Sequence, residues 1–474
     1  MIPVVTPAEM DDVDRGASQP VEVLIGRAGA ATASAAVRLL GGGYGRRVVV
    51  VAGSGNNGAD GRAAAARLGA RGARVCVVDP SEPSLPPADL VVDAAYGTGL
   101  SRAYTPADPG RAPVLAVDIP SGVNGATGEI PDGGGALVAQ ETVTFGALKP
   151  GLLLGAGPAH TGAVTVAGIG LADRAARAAT CWLVTDDDVA ARLPPRPPSG
   201  HKWQTAVGVV SGSPGMTGAP WLVSRAAMRA GAGYVRLGIP GVDPGRAGLP
   251  PGEAVGVALP AEEWAGAAVE AVERCRAVVV GPGLGRPARP GPDTQVGRFL
   301  AGSDLPAVVD ADGLNSLGSL AAVAAVAGAR GRSAPLVLTP HEGEWSRLAG
   351  GPPGADRLAA VRDAARATAA VVALKGSVTV VAAPDGRTLV AGAGSPRLAT
   401  AGTGDVLSGI IGAFLARGVP AFEAAALAAH VHGRAGAAGP AEGLLASDLP
   451  ELVSAWLSAH ALPQPTEAVS ARWR

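Results

Sequence analysis

The sequence predicts an α/β protein of two successive domains, each built on a parallel sheet. Three observations carry this. Short β-branched runs alternate with Ala/Leu/Arg-rich helical stretches through all 474 residues. Several of those runs are continuously apolar, as strands covered on both faces are. Four prolines in Leu193–Gly200 (LPPRPPSG) interrupt the alternation, which restarts beyond them. At ~100–200 residues per domain, the length suits two or three domains.

In the first half the expected strands are Arg47–Ala52, Arg74–Asp79, Leu90–Asp93, Val114–Asp118 and Thr142–Phe145, with helices such as Asp60–Gly69 between them. In the second they fall near Ala206–Ser211, Tyr234–Ile239, Ala277–Val280, Ala307–Asp310, Pro335–Leu338 and Val371–Leu374. The domains are expected at 1–192 and 201–460, joined by a linker at 193–200 and followed by a frayed tail at 461–474.

Composition narrows the function. The chain is 47% hydrophobic and 17% charged, with a formal net charge of −1. That balance gives no electrostatic reason for nucleic acid or an acidic membrane surface as a partner. The N-terminus MIPVVTPAEMDDVDRG has no basic stretch leading into an apolar block, so no signal peptide is read there. No apolar run approaches the ~18 residues of a membrane span. Cys76, Cys181 and Cys275 are far apart and read as reduced thiols. A cytoplasmic enzyme, acting as a homo-oligomer, is the expectation.

Lysine occurs only at Lys149, Lys202 and Lys375, so a lysine in this chain marks a place where a compact ammonium suits better than a guanidinium. Asparagine occurs only at Asn56, Asn57, Asn124 and Asn315, and the adjacent pair reads as a site.

That pair lies in VVVVAGSGNNGADGRAAAARL. A strand ends at Ala52, Gly53, Gly55 and Gly58 satisfy GxGxxG, and a helix opens near Ala59. Glycines at such a turn let backbone N–H groups approach a phosphate at a helix N-terminus. Asp79 ends the next strand, where a ribose-binding acid would stand. A dehydrogenase-type dinucleotide fold is one reading, but it has no need of Asn-Asn or of Asp60. Asn56–Gly61 resembles the NNGGDG turn of the YjeF N-terminal family, the NAD(P)H-hydrate epimerases. VDAAYGTGL (Val92–Leu100), VDIPSGVNGATG (Val117–Gly128) and TFGALKPG (Thr144–Gly151) match in order. The departures are Ala59 for a glycine and LIGRAG for LMENAG.

The resemblance implies a Rossmann-like three-layer domain. Asn57, Asp93 and Ser121 would hold potassium, a hard cation suited to oxygen ligands. Asn56, Asn57, Gly58, Ala59 and Asp60, with Gly97, Thr98, Gly99, Leu100, Ser101, Arg102 and Ala103, would line the nucleotide. Asp118 would meet the hydrated nicotinamide as acid/base, with Lys149 beside it. From the residues alone, the alternatives are that Asp118 is a strand-end carboxylate capping the PSG turn and Lys149 a solvated lysine.

In the second half Gly402–Asp405 (GTGD) precedes VLSGIIGAFLARG. Val406, Leu407, Ile410, Ile411, Phe414 and Leu415 share one helical face. The glycines then sit at a buried helix N-terminus, an anion hole, with Asp405 in the first turn, as base or simply as cap. This looks like a ribokinase-like α/β fold. His201–Val235, VVGPGLG (Val279–Gly285), VVDADGLN (Val308–Asn315), LTPHEGEWSRL (Leu338–Leu348) and LKGSVTVV (Leu374–Val381) resemble the YjeF C-terminal family, the ADP- or ATP-dependent NAD(P)H-hydrate dehydratases. Trp203-Gln204 departs from the family's glycine after His-Lys.

This second resemblance implies that Ala219, Gly283, His341 and Asp405 contact the hydrate. Lys375, Gly376, Ser377, Val378, Thr379 and Gly404 would contact the nucleotide. It also implies ADP as co-substrate and Mg²⁺ as bridging ion. Asp405, Asp118 and Lys149 are the catalytic candidates, and NADH and NADPH hydrates the expected substrates. The alternative is a small-molecule kinase fused to a non-catalytic nucleotide-binding domain. It shares GTGD and GxGxxG but leaves NNGADG, DIPSG and TPHEGE without a role.

Overall fold

The computed structural model describes residues 1–100, 102–197, 199–244, 252–330 and 334–460. The expected tail therefore lies outside the described residues, as do Ser101 and Pro198 of the linker. Contacts divide the chain into a unit spanning Ile2–Trp182 and a second unit from Leu183 onward that includes Met1.

The first unit holds a six-stranded, all-parallel sheet: β1 (Arg47–Ala52), β2 (Arg74–Val78), β3 (Leu90–Ala94), β4 (Val114–Val117), β5 (Glu141–Phe145) and β6 (Ala163–Ala167). Its order is β2-β1-β3-β4-β5-β6. The four central strands are buried, whereas β2 and β6 at the edges are partly exposed, which matches where the continuous apolar runs fall. Helices α1 (Pro7–Arg15), α2 (Val21–Leu40) and α3 (Asn56–Ala70) precede and follow β1.

Two local features depart from the sequence reading. By length and composition α2 is apolar enough to cross a membrane, although no such run was expected. Its alanines raise the mean hydropathy despite Glu22, Arg27 and Arg38. It is used as a core helix, with Ala28, Ala33, Ala35 and Ala36 packed against Val48, Val50, Leu90 and Val92. Helix α3 opens at Asn56, ahead of Ala59. Gly55 is its extended N-cap (φ −82°, ψ −170°), so the chain turns straight into the helix and both asparagines occupy its first turn. That tight entry needs Gly58, where a Cβ would lie 1.8 Å from the Gly53 carbonyl oxygen.

In the second unit, β7 (Ala206–Val210), β8 (Tyr234–Pro240), β9 (Val255–Leu259), β10 (Ala277–Val280), β11 (Ala307–Val309), β12 (Leu336–Leu338), β13 (Val371–Leu374), β14 (Thr379–Ala382) and β15 (Thr388–Ala391) share one sheet. The order is β15-β14-β13-β12-β11-β10-β7-β8-β9. It is parallel from β9 to β13 and antiparallel across β13-β14-β15.

Helix α4 (Asp186–Arg192) goes with this second unit, so the first unit ends short of the residue 192 expected from sequence. The proline-rich stretch marks a break in composition, not in contacts. What ties α4 down is Asp186. Its Oδ1 lies 2.6 Å from His430 Nε2 and accepts a 2.8 Å bond from Arg434 Nε.

Candidate active sites

The first unit has a cavity of about 560 Å³ at the C-terminal ends of its strands, where an open parallel sheet binds its ligand. Asn56, Asn57, Asp60, Gly97, Thr98, Gly99, Leu100, Arg102, Asp118 and Lys149 all line it. Gly58 and Ala59 do not. Gly58 is buried against Gly53, and Ala59 continues the helix with its N–H on the Gly55 carbonyl. Ala103 lines a neighbouring cavity with Tyr96 and Tyr104. Asp11 and Asp14 of α1 also line the first cavity; the sequence reading missed both.

Lys149 is 1% exposed, and its Nζ donates to Asp118 Oδ1 (2.5 Å), Thr144 Oγ1 (2.9 Å) and the Phe145 carbonyl (2.8 Å). It is not a solvated lysine. Asp118 itself sits at φ +67°, a left-handed conformation that costs a non-glycine residue energy and is held here at the cavity wall. Burial, then the nearby charges of Asp118 and Asp14, push the Asp60 carboxyl up to about 8 against the pull of Lys149. Asp14 is raised as well, chiefly by burial.

Asp93 is fully buried and accepts from Ser121 N (2.9 Å) and Ser121 Oγ (2.5 Å). Burial pushes it up and the Ser121 bonds pull it down. Asn57 lies beside Gly97, and both its amide atoms are buried with no hydrogen-bond partner among the described residues.

The second unit has a cavity of about 700 Å³. Helix α5 (Glu342–Ala349) and helix α6 (Thr403–Ala416) both begin at it. Gly402 caps α6 at φ +91°, and no side chain bonds the helix N-terminus. Asp405 stands in its first turn. Burial, then Asp310, push its carboxyl up to about 7 while Lys375 pulls it down. Lys375 Nζ lies 2.8 Å from Asp310 Oδ1 and 3.7 Å from Glu344 Oε2. These carboxylates hold the ammonium above its ordinary range despite burial. Ser408 Oγ donates to the other Asp310 oxygen at 2.6 Å.

His341, Lys375, Gly376, Ser377, Thr379, Gly404 and Asp405 line this cavity, and Val378 does not. Ala219 and Gly283 lie outside its lining but beside each other, a Cβ on Gly283 coming 3.3 Å from that of Ala219. His341 also caps α5, its Nδ1 accepting from Gly343 N (2.9 Å) and Glu344 N (3.2 Å).

Asp310, Glu344 and His432 were not singled out from sequence. The first two lie inside VVDADGLN and LTPHEGEWSRL, where acids buried at strand and helix ends were the available signal. His432 Nε2 is buried without a partner among the described residues, and burial pushes the imidazole down to about 4, so it faces the cavity uncharged.

These two units define a fused α/β protein, a Rossmann-like parallel-sheet domain followed by a ribokinase-like one. Residues 207–457 match the family described as NAD(P)H-hydrate dehydratase, and residues 21–86 and 77–151 match the YjeF-related protein N-terminus. The bifunctional NAD(P)H-hydrate repair enzyme Nnr of Mycobacterium tuberculosis is 41% identical over 419 residues, covering 81% of this chain and 82% of that one. That of Salinibacter ruber is 36% identical over 478 residues, covering 86% of each. A ribokinase-like superfamily protein from Enterococcus faecalis V583 shares the second unit's fold at TM-score 0.52 and 24% identity, over 60% of this chain and 98% of that one. The chain belongs to the bifunctional NAD(P)H-hydrate repair enzymes, which join an epimerase to a dehydratase.

Proposed function

We propose that each cavity runs one half of the repair. In the first, the hydrated nicotinamide ring lies against Asp118 and Lys149 and its phosphates lie toward the uncapped N-terminus of α3. The orphaned Asn57 amide supports a potassium ion held with Asp93 and Ser121. A buried amide oxygen without a donor among the described residues, in a domain whose buried Asp93 stands at the same sheet edge, is what a large, weakly hydrated cation would satisfy.

In the second cavity the adenine nucleotide, ADP in our reading, places its terminal phosphate at the N-terminus of α6 beside Lys375. Asp405 takes the proton of the C6 hydroxyl as that oxygen attacks phosphorus. The P–O bond to AMP breaks, and phosphate then leaves C6 with its electron pair as a C5 proton is lost, restoring the dihydronicotinamide. Phosphate is a far better leaving group than hydroxide, which is why a nucleotide is consumed.

Among the described residues no three acids converge as a metal site, and both Asp310 oxygens are bonded, one to Lys375 and the other to Ser408, so Mg²⁺ would be held chiefly by the phosphates, with Asp405 on the same cavity wall. When bound, Mg²⁺ neutralises charge developing on the transferred group.

The observation that carries this reading is that one chain holds both constellations, Asp118–Lys149 and Asp405–Lys375, each in its own cavity. The test is to incubate the protein with mixed R and S NADH hydrate and Mg-ADP or Mg-ATP, following the absorbance of restored NADH. Both epimers should be consumed to completion at enzyme-limited rates. Recovery of the S half alone, the rest decaying spontaneously, would refute the first-cavity assignment. No recovery with either nucleotide would refute the second.

A further inference from the structure

We propose that Asp60, not Asp118, is the proton donor and acceptor for the epimerase reaction. The inference rests on the nicotinamide ring binding in the first cavity. The family resemblance implies Asp118 as the acid/base, just past the end of β4. The geometry assigns the two carboxyl groups different work. Asp118 is engaged by the buried Lys149 ammonium, whose three bonds to Asp118, Thr144 and the Phe145 carbonyl fix it in place. A carboxylate held this way can stabilise positive charge on a ring, but it is poorly placed to exchange a proton.

Asp60 differs on every count. It is 8% exposed yet lines the cavity, and no hydrogen bond or ion pair holds its carboxyl among the described residues. The charged groups on the same cavity are Asp11 and Asp14 from α1, Arg102 from the segment after β3, and Asp118 with Lys149. Four acids, counting Asp60, thus face two bases, of which Lys149 is already committed. Burial and the surplus of negative charge keep Asp60 protonated at neutral pH, up to about 8. Two carboxyls in one site, one bonded to an ammonium and the other without a partner among the described residues, suit separate electrostatic and acid roles.

The chemistry balances. The Asp60 proton goes to the C6 hydroxyl oxygen, the C6–O bond breaks with its electron pair, and water leaves. The ring nitrogen supplies the pair that forms a C6=N1 iminium, a planar cation with Asp118 beside it. Water adds to the opposite face, and the proton it sheds returns to the Asp60 carboxylate, so the enzyme ends as it began.

The test is R–S interconversion followed by chromatography without nucleotide, which silences the dehydratase. Asp60→Asn should lower kcat at least ~100-fold with KM within about threefold, the usual size of a lost general acid. The wild-type rate should fall above about pH 8. Asp14→Asn, which removes one of the charges that raise Asp60, should move that alkaline limb to lower pH. A structural role for either side chain would not move it. Denaturant unfolding of the first unit reports whether each variant folds, and dehydration of the S epimer with ADP checks that the second unit is untouched.

If Asp60→Asn runs within threefold of wild type, or if the limb stays put in Asp14→Asn, Asp60 is not the proton donor. If Asp118→Asn also leaves both kcat and KM unchanged, the ring does not bind in this cavity and the underlying placement fails. Impairment by Asp118→Asn without impairment by Asp60→Asn overturns the Asp60 role alone.

Discussion

The Nζ of Lys149 lies 2.5 Å from Oδ1 of Asp118, with the lysine 1% and the aspartate 16% exposed. The pair is therefore both a piece of the cavity wall and a buried ionic contact. Removing one partner of such a pair costs about 3–5 kcal/mol, because the other charge is left buried and unmatched. Lys149→Met should lower the stability of the first unit by that order and abolish epimerisation. Adding Asp118→Asn to it should recover part of the stability but none of the activity. Denaturant unfolding of the two single variants and the double variant checks this; strictly additive losses would show that the two groups do not act as a pair.

Asp405→Asn should reduce dehydration of the S epimer by at least ~10²–10⁴-fold while leaving R–S interconversion intact, since the amide cannot take the hydroxyl proton and the helix N-terminus remains. The pH dependence has a definite sign. The base works only as the carboxylate, and its carboxyl titrates at about 7 in the folded protein. kcat/KM for dehydration should therefore rise as pH increases through about 7 and fall roughly tenfold per unit below it. A profile flat from pH 5 to 8 would remove Asp405 from that role.

Sequence patterning reached the two parallel sheets because their central strands are apolar on both faces, as in Val48–Val51 and Ala277–Val280. It also reached Asp405, because glycines followed by an amphipathic stretch mark a helix start. It did not reach Asp14. An acidic helix of sequence PAEMDDVDR reads as a solvated face, and only the fold shows that Asp14 turns toward Asp118 and Lys149. Nor could it show that Asn57 lies inside α3 with its amide buried. That depends on the extended N-cap at Gly55 and the close approach of Gly58 to Gly53, which no local pattern dictates. Nor could it show that helix α4 packs with the second unit, since its partners, His430 and Arg434, are some 240 residues away.

The entry to α3 gives a purely steric prediction. A Cβ at Gly58 would lie 1.8 Å from the Gly53 oxygen and 2.6 Å from its carbonyl carbon, so backbone must move to admit one methyl group. Gly58→Ala should destabilise the first unit by about 1–3 kcal/mol, as overpacking does. It should also cost epimerase activity by shifting Asn57 and Asp60, while the second unit keeps its ADP-driven activity. Gly55→Ala is the control, since nothing lies within 4 Å of a Cβ there. Equal effects of the two substitutions would show that contact with Gly53 is not what fixes the turn.

The last prediction concerns the cation. Asp93 is the penultimate residue of β3, Ser121 follows β4, and Asn57 follows β1, so all three stand at the C-terminal edge of adjacent parallel strands. Asp93 and Ser121 are already joined, and the Asn57 amide, beside Gly97, has neither donor nor acceptor among the described residues. Leaving such an amide unmatched costs about 1–3 kcal/mol, a cost that a bound cation would offset. The ion should be large and weakly hydrated, because magnesium gives up its waters reluctantly. Potassium should therefore both raise the epimerase rate and raise the unfolding temperature of the first unit, with lithium and choline doing neither. Asp93→Ala should remove the potassium dependence together with most epimerase activity, and the ADP-driven reaction on the S epimer should stay near normal. If wild-type epimerase runs equally fast in potassium-free buffer, or if Asp93→Ala damages both activities alike, these three residues do not hold a cation.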